Sequence, residues 1–219
     1  MKALIIYGGW DGHTPEQTSR IFERELKAKG VDVEVSATLD TLLDLEKLKG
    51  LDVIIPQWTM GAISQDQWNN LNKAVHDFGV GLAGCHGGTG DAFRGNLDYE
   101  WMVGGHFVGH PYVGDYQVRL TAVKDPITAG LLSAFPYKSE QYYMMVDPAL
   151  RVLAETTYHY EGKDVIMPVV WTKNWGKARV FYSALGHDHK EFTDYPQVLA
   201  MTIRGFLWAA EGKKAAVHL

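Results

Sequence analysis

The chain has 219 residues, of which 46% are hydrophobic, and this is enough to bury the core of one α/β domain. Its formal net charge of −5 favours neither nucleic acid nor an anionic membrane as a partner, which leaves a small molecule as the expected ligand. A single cysteine excludes an intrachain disulfide, and the opening residues lack a signal-peptide pattern, so a cytoplasmic protein is predicted. We expect one domain over residues 1–212 and a frayed C-terminal tail over residues 213–219.

The first half of the chain alternates between short apolar runs and amphipathic segments. Strands are predicted at residues 3–7, 31–35, 52–56 and 80–83. Helices are predicted between them at residues 15–29, 39–48 and 65–78. Strands that alternate with crossover helices form a mostly parallel sheet with helices on both faces.

The second half is less regular. Strands are predicted at residues 116–123, 151–156, 169–171 and 179–184, and a helix is predicted at residues 197–210. The first of these strands alternates as an edge or antiparallel strand does. We therefore predict an α/β fold with a doubly wound, mostly parallel sheet flanked by helices and with added antiparallel strands in the second half.

The segment Gly84-Cys85-His86-Gly87-Gly88 follows the fourth predicted strand. Small neighbours let one residue adopt a strained conformation, so that its side chain stands free above the sheet edge, as in a nucleophile elbow. If Cys85 holds that position, His187 after a later strand would be its base in a Cys–His acyl-transfer enzyme. If His86 holds it, that chemistry is absent.

Polar and aromatic side chains follow the ends of several other predicted strands, where ligands of doubly wound sheets gather. The loops after the first and third strands carry Trp10, Asp11, His13 and Trp58. Later element ends carry His106, His110, Glu140, Tyr142 and His187. Histidines beside a carboxylate supply general acids and bases near neutral pH, and histidines from different loops also suit a divalent metal ion. A helical metal pair is not favoured for His106 and His110, because Gly109 interrupts the segment and Pro111 follows it.

A set of motifs extends over most of the chain in a specific order and spacing. They are residues 80–87, 104–107, 110–111, 125–127, 140–142, 168–171, 176–182 and 185–187. By these motifs the chain resembles the ThuA-like (trehalose utilisation) family, whose fold is similar to that of class I glutamine amidotransferases. The resemblance implies a flavodoxin-like, class I glutamine amidotransferase-like fold.

The resemblance also bears on the elbow. Amidotransferases of the related fold place cysteine directly after a Gly-x pair, and the matching triplet Gly84-Cys85-His86 has histidine there. It implies that Cys85 is a packing residue and that the chain is not a glutaminase. His187 matches the amidotransferase histidine, but His189 stands where their carboxylate follows.

Carbohydrate catabolism is the function that the resemblance implies, with links to trehalose, related disaccharides and 3-keto derivatives made by a partner sugar dehydrogenase. A ketone at C3 acidifies the adjacent C–H bonds, so a lyase, isomerase or hydrolase mechanism through an enediolate is expected. The expected catalytic residues are His86 and His187, as base and acid, and Glu140. The expected sugar-binding residues are Trp10, Asp11, His13, Trp58, His110 and Tyr142. The expected ligands, if a zinc or manganese ion is bound, are His86, His106 and His187.

A non-catalytic sugar-binding or regulatory module on the same scaffold is the alternative hypothesis. No nucleotide cofactor is expected, because residues 8–12 lack the G-x-G-x-x-G spacing. Seven Trp and eleven Tyr residues suit either a sugar site or a dimer interface, so a homo-oligomer stays open.

Overall fold

The computed structural model describes residues 1–216, and side chains through residue 214. Its strands are β1 (Lys2–Gly9), β2 (Asp32–Ser36), β3 (Val53–Thr59), β4 (Gly81–Cys85), β5 (Gly105–Leu120), β6 (Ala134–Val146), β7 (Arg151–Tyr160), β8 (Lys163–Trp175) and β9 (Ala178–Ser183). Its α-helices are α1 (Pro15–Ala28), α2 (Leu45–Lys49), α3 (Gln65–His76), α4 (His86–Gly90), α5 (Leu97–Val103), α6 (Glu191–Asp194) and α7 (Pro196–Ala216). Short 3-10 helices span Asp11–His13 and Leu39–Leu43.

The described strands form one nine-stranded sheet in the order β2-β1-β3-β4-β9-β8-β7-β5-β6. The pairings from β2 to β9 are parallel, whereas those from β9 to β6 are antiparallel. Strands β3 and β4 are almost wholly buried, because helices cover the parallel half of the sheet. The predicted fold class is confirmed, with a parallel first half and antiparallel strands added later.

The antiparallel part is larger than the sequence pattern predicted. β5 begins at Gly105 rather than at residue 116, and β6 was not predicted at all. Most of β5 pairs only with β6, because β7 joins it through Val118–Leu120 alone. The two strands therefore form a long hairpin, called here the β5–β6 arm, at the end of the sheet opposite to β2.

Other boundaries also differ from the predictions: β3 continues to Thr59 rather than ending at residue 56, and β8 spans Lys163–Trp175 rather than residues 169–171. The segment predicted as one helix at residues 39–48 is divided at Asp44, whose side chain accepts a hydrogen bond from the backbone N–H of Lys47 at 3.0 Å and so caps α2. Helix α7 continues to Ala216, so residues 213–216, expected to fray, are helical. Residues 217–219, which include His218, lie outside the described residues. None of the described helices combines the length and the apolar character needed to cross a membrane.

A cluster of three phenylalanines joins α1, α6 and α7 beneath the carboxyl ends of the parallel strands. Phe22 contacts Phe192 and Phe206 edge to face, with ring centroids 4.9 and 5.0 Å apart, and all three side chains are buried. Phe192 in turn lies directly against Gly186, so the cluster supports the loop that follows β9.

We expect Phe22→Ala to lower the free energy of unfolding by about 3–5 kcal/mol, because it removes a fully buried ring that touches two others. Phe78→Ala is the matched control, since this side chain is partly exposed and its loss opens no internal cavity. Urea unfolding followed by circular dichroism measures both. Equal losses in the two variants would show that the phenylalanine cluster does not carry this part of the core.

Candidate functional site

The turn between β4 and α4 has the geometry of an elbow, and His86 occupies its strained position. Cys85, at the end of β4, is extended, whereas His86 has a φ of 44°, in the left-handed region. A Cβ at Gly84 would lie 1.7 Å from Thr89 Oγ1, and one at Gly87 would lie 2.2 Å from His13 Cε1. These two glycines therefore permit the turn itself and the approach of His13 to it.

Cys85 faces the interior rather than the site. Its side chain is fully buried, and its Sγ lies 3.7 Å from the amide nitrogen of Gln57. Burial raises the pKa of the Cys85 thiol to about 12. A thiol in this environment stays protonated at neutral pH and has no path to a substrate.

Four side chains converge above the elbow and form what we call the His/Glu cluster: His13, His86, Glu140 and His187. One nitrogen or oxygen atom from each lies within 4.8 Å of those of the others. His13 ends the 3-10 turn after β1, His86 follows β4, and His187 lies in the loop after β9. Glu140 lies on β6, in the β5–β6 arm. Three parallel strand ends and one antiparallel strand thus build the cluster together.

Glu140 lies between two histidines of the cluster. Its Oε2 atom is 3.5 Å from His86 Nε2 and 3.4 Å from His187 Nδ1. All three atoms are buried, and none has a hydrogen-bond partner among the described residues. Buried polar atoms are nearly always satisfied in native proteins, so three unsatisfied atoms that face one another indicate a place for a bound group.

The Nδ1 atoms of His13 and His86 contact neighbouring hydroxyl groups. His13 Nδ1 lies 2.7 Å from Thr59 Oγ1, and His86 Nδ1 lies 3.0 Å from the Tyr142 hydroxyl. The Tyr142 ring also packs on the His86 ring, with centroids 4.0 Å apart. These contacts fix the orientation of both imidazoles and direct their remaining nitrogens towards Glu140 and the open space beside it.

Burial and neighbouring charges shift the pKa values of the histidines in the cluster in different directions. Burial, reinforced by the other histidines, lowers the pKa of His13 to about 4 and the pKa of His86 well below its usual value. The adjacent Glu140 carboxylate raises the pKa of His187. Burial acts to raise the pKa of Glu140, but His187 and His110 outweigh it and lower that pKa.

A second carboxylate, Glu191, positions the His187 loop and was not identified from the sequence. It accepts a hydrogen bond from the backbone N–H of His187 at 2.8 Å and another from the Tyr137 hydroxyl. The sequence signal was a carboxylate soon after the histidine, but it stands four residues on rather than two. Thr59, the partner of His13, was also missed, because only strand alternation shows which side of β3 it faces.

The remaining expected site residues divide between the mouth of the cluster and places away from it. Trp10 is 47% exposed and lies edge-on to His13, with ring centroids 4.8 Å apart. His110 is partly exposed, with Nε2 3.5 Å from Glu140 Oε1. Asp11 is exposed in the turn that leads to His13. Trp10 and His110 therefore lie exposed beside the cluster, whereas no contact joins the Asp11 side chain to it among the described residues.

Three expectations need correction. His106 is not part of the cluster: its side chain is half exposed, and its Nδ1 lies 3.1 Å from Glu100 Oε2. Trp58 packs against Gly8 and Gly61, on the face of β3 opposite to Thr59. Tyr142 is only 2% exposed, so its ring supports His86 and offers no surface to a sugar.

The chain matches the family model described as trehalose utilisation (ThuA) over residues 2–209. No curated protein matches it significantly. A ThuA-like protein from Bacteroides uniformis has a TM-score of 0.78 at 21% identity, over 95% of this chain and 91% of its own. A cytoplasmic protein from Salmonella typhimurium has a TM-score of 0.65 at 18% identity, over 94% and 98%. The glutaminase domain of CTPS from Trypanosoma brucei, with bound acivicin, has a TM-score of 0.57 at 13% identity, over 96% and 93%.

At these identities the structural similarity establishes the fold alone. The solved structures confirm the predicted class I glutamine amidotransferase-like architecture. The glutaminase domain is similar in fold, and in this chain the Cys85 thiol is buried against Gln57.

The native protein is expected to resist the thiol reagent DTNB at about pH 8, because Cys85 is buried and its pKa is raised far above the usual value of about 8.5. The chain unfolded in guanidinium chloride regains an ordinary thiol and should release one equivalent of thionitrobenzoate. Absorbance follows both reactions. Rapid reaction of the native protein, accompanied by loss of function, would contradict the packing role of Cys85.

Proposed function

Since the chain belongs to the trehalose utilisation (ThuA) family, as its motifs predicted, we propose that it is an enzyme of carbohydrate catabolism. Its substrate is a disaccharide, a glycoside or a 3-keto derivative of one, and its reaction is an elimination, isomerisation or hydrolysis. The observation that carries the proposal is the His/Glu cluster, with His86 on the elbow and with buried atoms that have no partner among the described residues.

The cluster suits the chemistry of a keto-sugar. Removal of a proton next to the C3 ketone produces an enediolate, so the site must accept a proton and stabilise a developing negative charge on oxygen. His86 Nε2, His187 Nδ1 and Glu140 Oε2 face a common space at 3.4 to 3.5 Å. Imidazoles there transfer protons, and a positive charge held beside Glu140, as an imidazolium or a cation, stabilises the enediolate oxygen.

The mouth of the site supplies the groups that a sugar requires. The Trp10 ring is exposed beside His13 and offers an apolar surface for the C–H face of a sugar ring. His110 lies beside the cluster, and Asp11 is exposed in the turn that leads to His13, so both side chains are proposed to bond to sugar hydroxyls. Trp58, which packs against Gly8 and Gly61, and Tyr142, which is buried behind His86, are not included in the proposed sugar contacts.

The supply of a 3-keto sugar requires oxidation of the C3 hydroxyl, so we propose a sugar dehydrogenase as the enzyme that precedes this one. We also propose a cytoplasmic location, and the Salmonella typhimurium structural neighbour is described as a cytoplasmic protein.

Enolisation offers a direct test of the proposal. In deuterated water the native protein should exchange the protons at C2 or C4 of 3-keto-trehalose or a 3-keto-glucoside, as followed by proton NMR. His86→Ala and Glu140→Gln should slow this exchange at least ~10²-fold, because they remove groups that face the reacting atoms. His159→Ala, an exposed histidine in β7 that pairs with Asp164, is the matched control and should not change the rate.

Unmodified trehalose and a simple glucoside belong in the same experiment, since direct hydrolysis would yield products without proton exchange. The non-catalytic alternative predicts a different result. A native protein that binds one of these sugars in calorimetry, yet neither exchanges protons nor forms product, would contradict the proposal and establish a binding module.

A further inference from the structure

We propose that the His/Glu cluster binds one divalent transition-metal ion, with Glu140 and three histidines as its ligands. The inference rests on the proposed function only for the identity of the substrate, because the evidence for the ion lies in the cluster itself. The ligand set differs from the one expected from the sequence: His13 and Glu140 join His86 and His187, and His106 is not a ligand.

The distances within the cluster are those of ligands rather than of hydrogen bonds. An N–H donor lies about 2.7–3.2 Å from its acceptor. Two ligands of a tetrahedral ion, each about 2.1 Å from the metal, lie about 3.4 Å apart. Glu140 Oε2 lies 3.4 Å from His187 Nδ1 and 3.5 Å from His86 Nε2. One ion between the three atoms would contact all of them.

The ion would also provide a partner for polar atoms that are buried without one. His86 Nε2, His187 Nδ1 and Glu140 Oε2 are buried without a hydrogen-bond partner among the described residues. Burying a polar atom without a partner is costly, and one cation would satisfy all three at once. The carboxylate supplies a negative charge that neutral imidazoles alone would lack.

Contacts behind the ligands orient them as in established metal sites. Thr59 Oγ1 lies 2.7 Å from His13 Nδ1, which leaves Nε2 as the free nitrogen of that ring. The Tyr142 oxygen lies 3.0 Å from His86 Nδ1, so a proton on Nδ1 leaves Nε2 with its lone pair facing Glu140. Histidine ligands generally donate their other N–H to such a neighbour, which fixes the tautomer and the ring.

Three imidazoles and one carboxylate favour zinc, manganese or another first-row ion over calcium or magnesium. Trp10 and His110 are exposed beside the cluster, so a substrate oxygen would approach the ion from that side as a fifth ligand. His86 and His187 would then act as ligands, and the ion would hold the enediolate oxygen. Proton transfer would fall to a group at the mouth, where His110 lies 3.5 Å from Glu140 Oε1.

Metal analysis and binding test the inference independently of turnover. Tag-free protein purified without chelator should contain about one transition-metal ion per chain by mass spectrometry. After dialysis against chelator, added Zn²⁺, Mn²⁺ or Co²⁺ should rebind with one-to-one stoichiometry and raise the melting temperature. Bound Co²⁺ should show the intense visible absorption of a four- or five-coordinate site.

Variants identify the ligands. His13→Ala, His86→Ala and Glu140→Gln should each weaken binding at least ~10-fold, in the range that changes around a metal centre commonly cause. His106→Ala should bind as the native protein does, because His106 lies outside the cluster. Circular dichroism confirms folding of each variant, and Glu140→Gln keeps the shape of the side chain if the alanine variants fail to fold.

The outcomes separate the two proposals. A protein that binds no ion at millimolar concentration, or that loses its ion in His106→Ala but keeps it in the cluster variants, overturns the metal site. Sugar turnover by metal-free protein would also overturn the catalytic role of the ion while leaving the proposed function in place. An ion held by the cluster without any sugar turnover would support the metal site and contradict the proposed function.

Discussion

The site depends on one backbone constraint, the left-handed conformation of His86 between β4 and α4. A non-glycine residue in that conformation costs of the order of 1–3 kcal/mol and persists only where its surroundings hold it. The Tyr182 hydroxyl donates to the His86 carbonyl at 3.1 Å, and Thr89 donates to the Pro56 carbonyl at 2.7 Å. The second bond needs the space that Gly84 leaves free. Strain at one residue is thus offset by contacts that a neighbouring glycine permits.

The two halves of the sheet contribute to the site in different ways. Parallel strands end at a common edge of the sheet. The short loops after β1, β4 and β9 therefore bring three histidines together there. The β5–β6 arm supplies the carboxylate of the cluster, since Glu191 at that edge binds the backbone of the His187 loop instead. Glu140 and Tyr142 are two residues apart on β6 and therefore face the same side, so one strand delivers both the carboxylate and the ring that supports His86.

The parallel half of the sheet could be predicted from the sequence, whereas most of the β5–β6 arm could not. Short apolar runs with glycine at their ends are enough to predict the parallel strands, and the common edge of those strands predicts the convergence of His86 and His187. Within the arm only residues 116–123 were predicted as a strand, because the first part of β5 carries register shifts near Gly109, and its glycines, proline and exposed residues give no clear alternation. His106 was misplaced for the same reason. Trp58 was assigned to a loop because β3 was predicted to end at residue 56; the strand continues to Thr59, and its alternation directs Trp58 and Thr59 to opposite faces.

Cys85 and His86 are adjacent in the chain but have different roles. The thiol of Cys85 packs in the interior, whereas the imidazole of His86 lies at the centre of the site. The extended conformation of Cys85 directs its sulfur towards Gln57, and only the next residue projects into the cluster. An acyl-transfer enzyme needs a nucleophile at that point, whereas this chain has an imidazole there, with Nε2 3.5 Å from Glu140 Oε2. The site of this chain therefore differs from a cysteine-dependent site on the same fold in two local features, the register of the elbow and the carboxylate that the arm adds. Neither requires a different core, because both lie beyond the carboxyl ends of the strands.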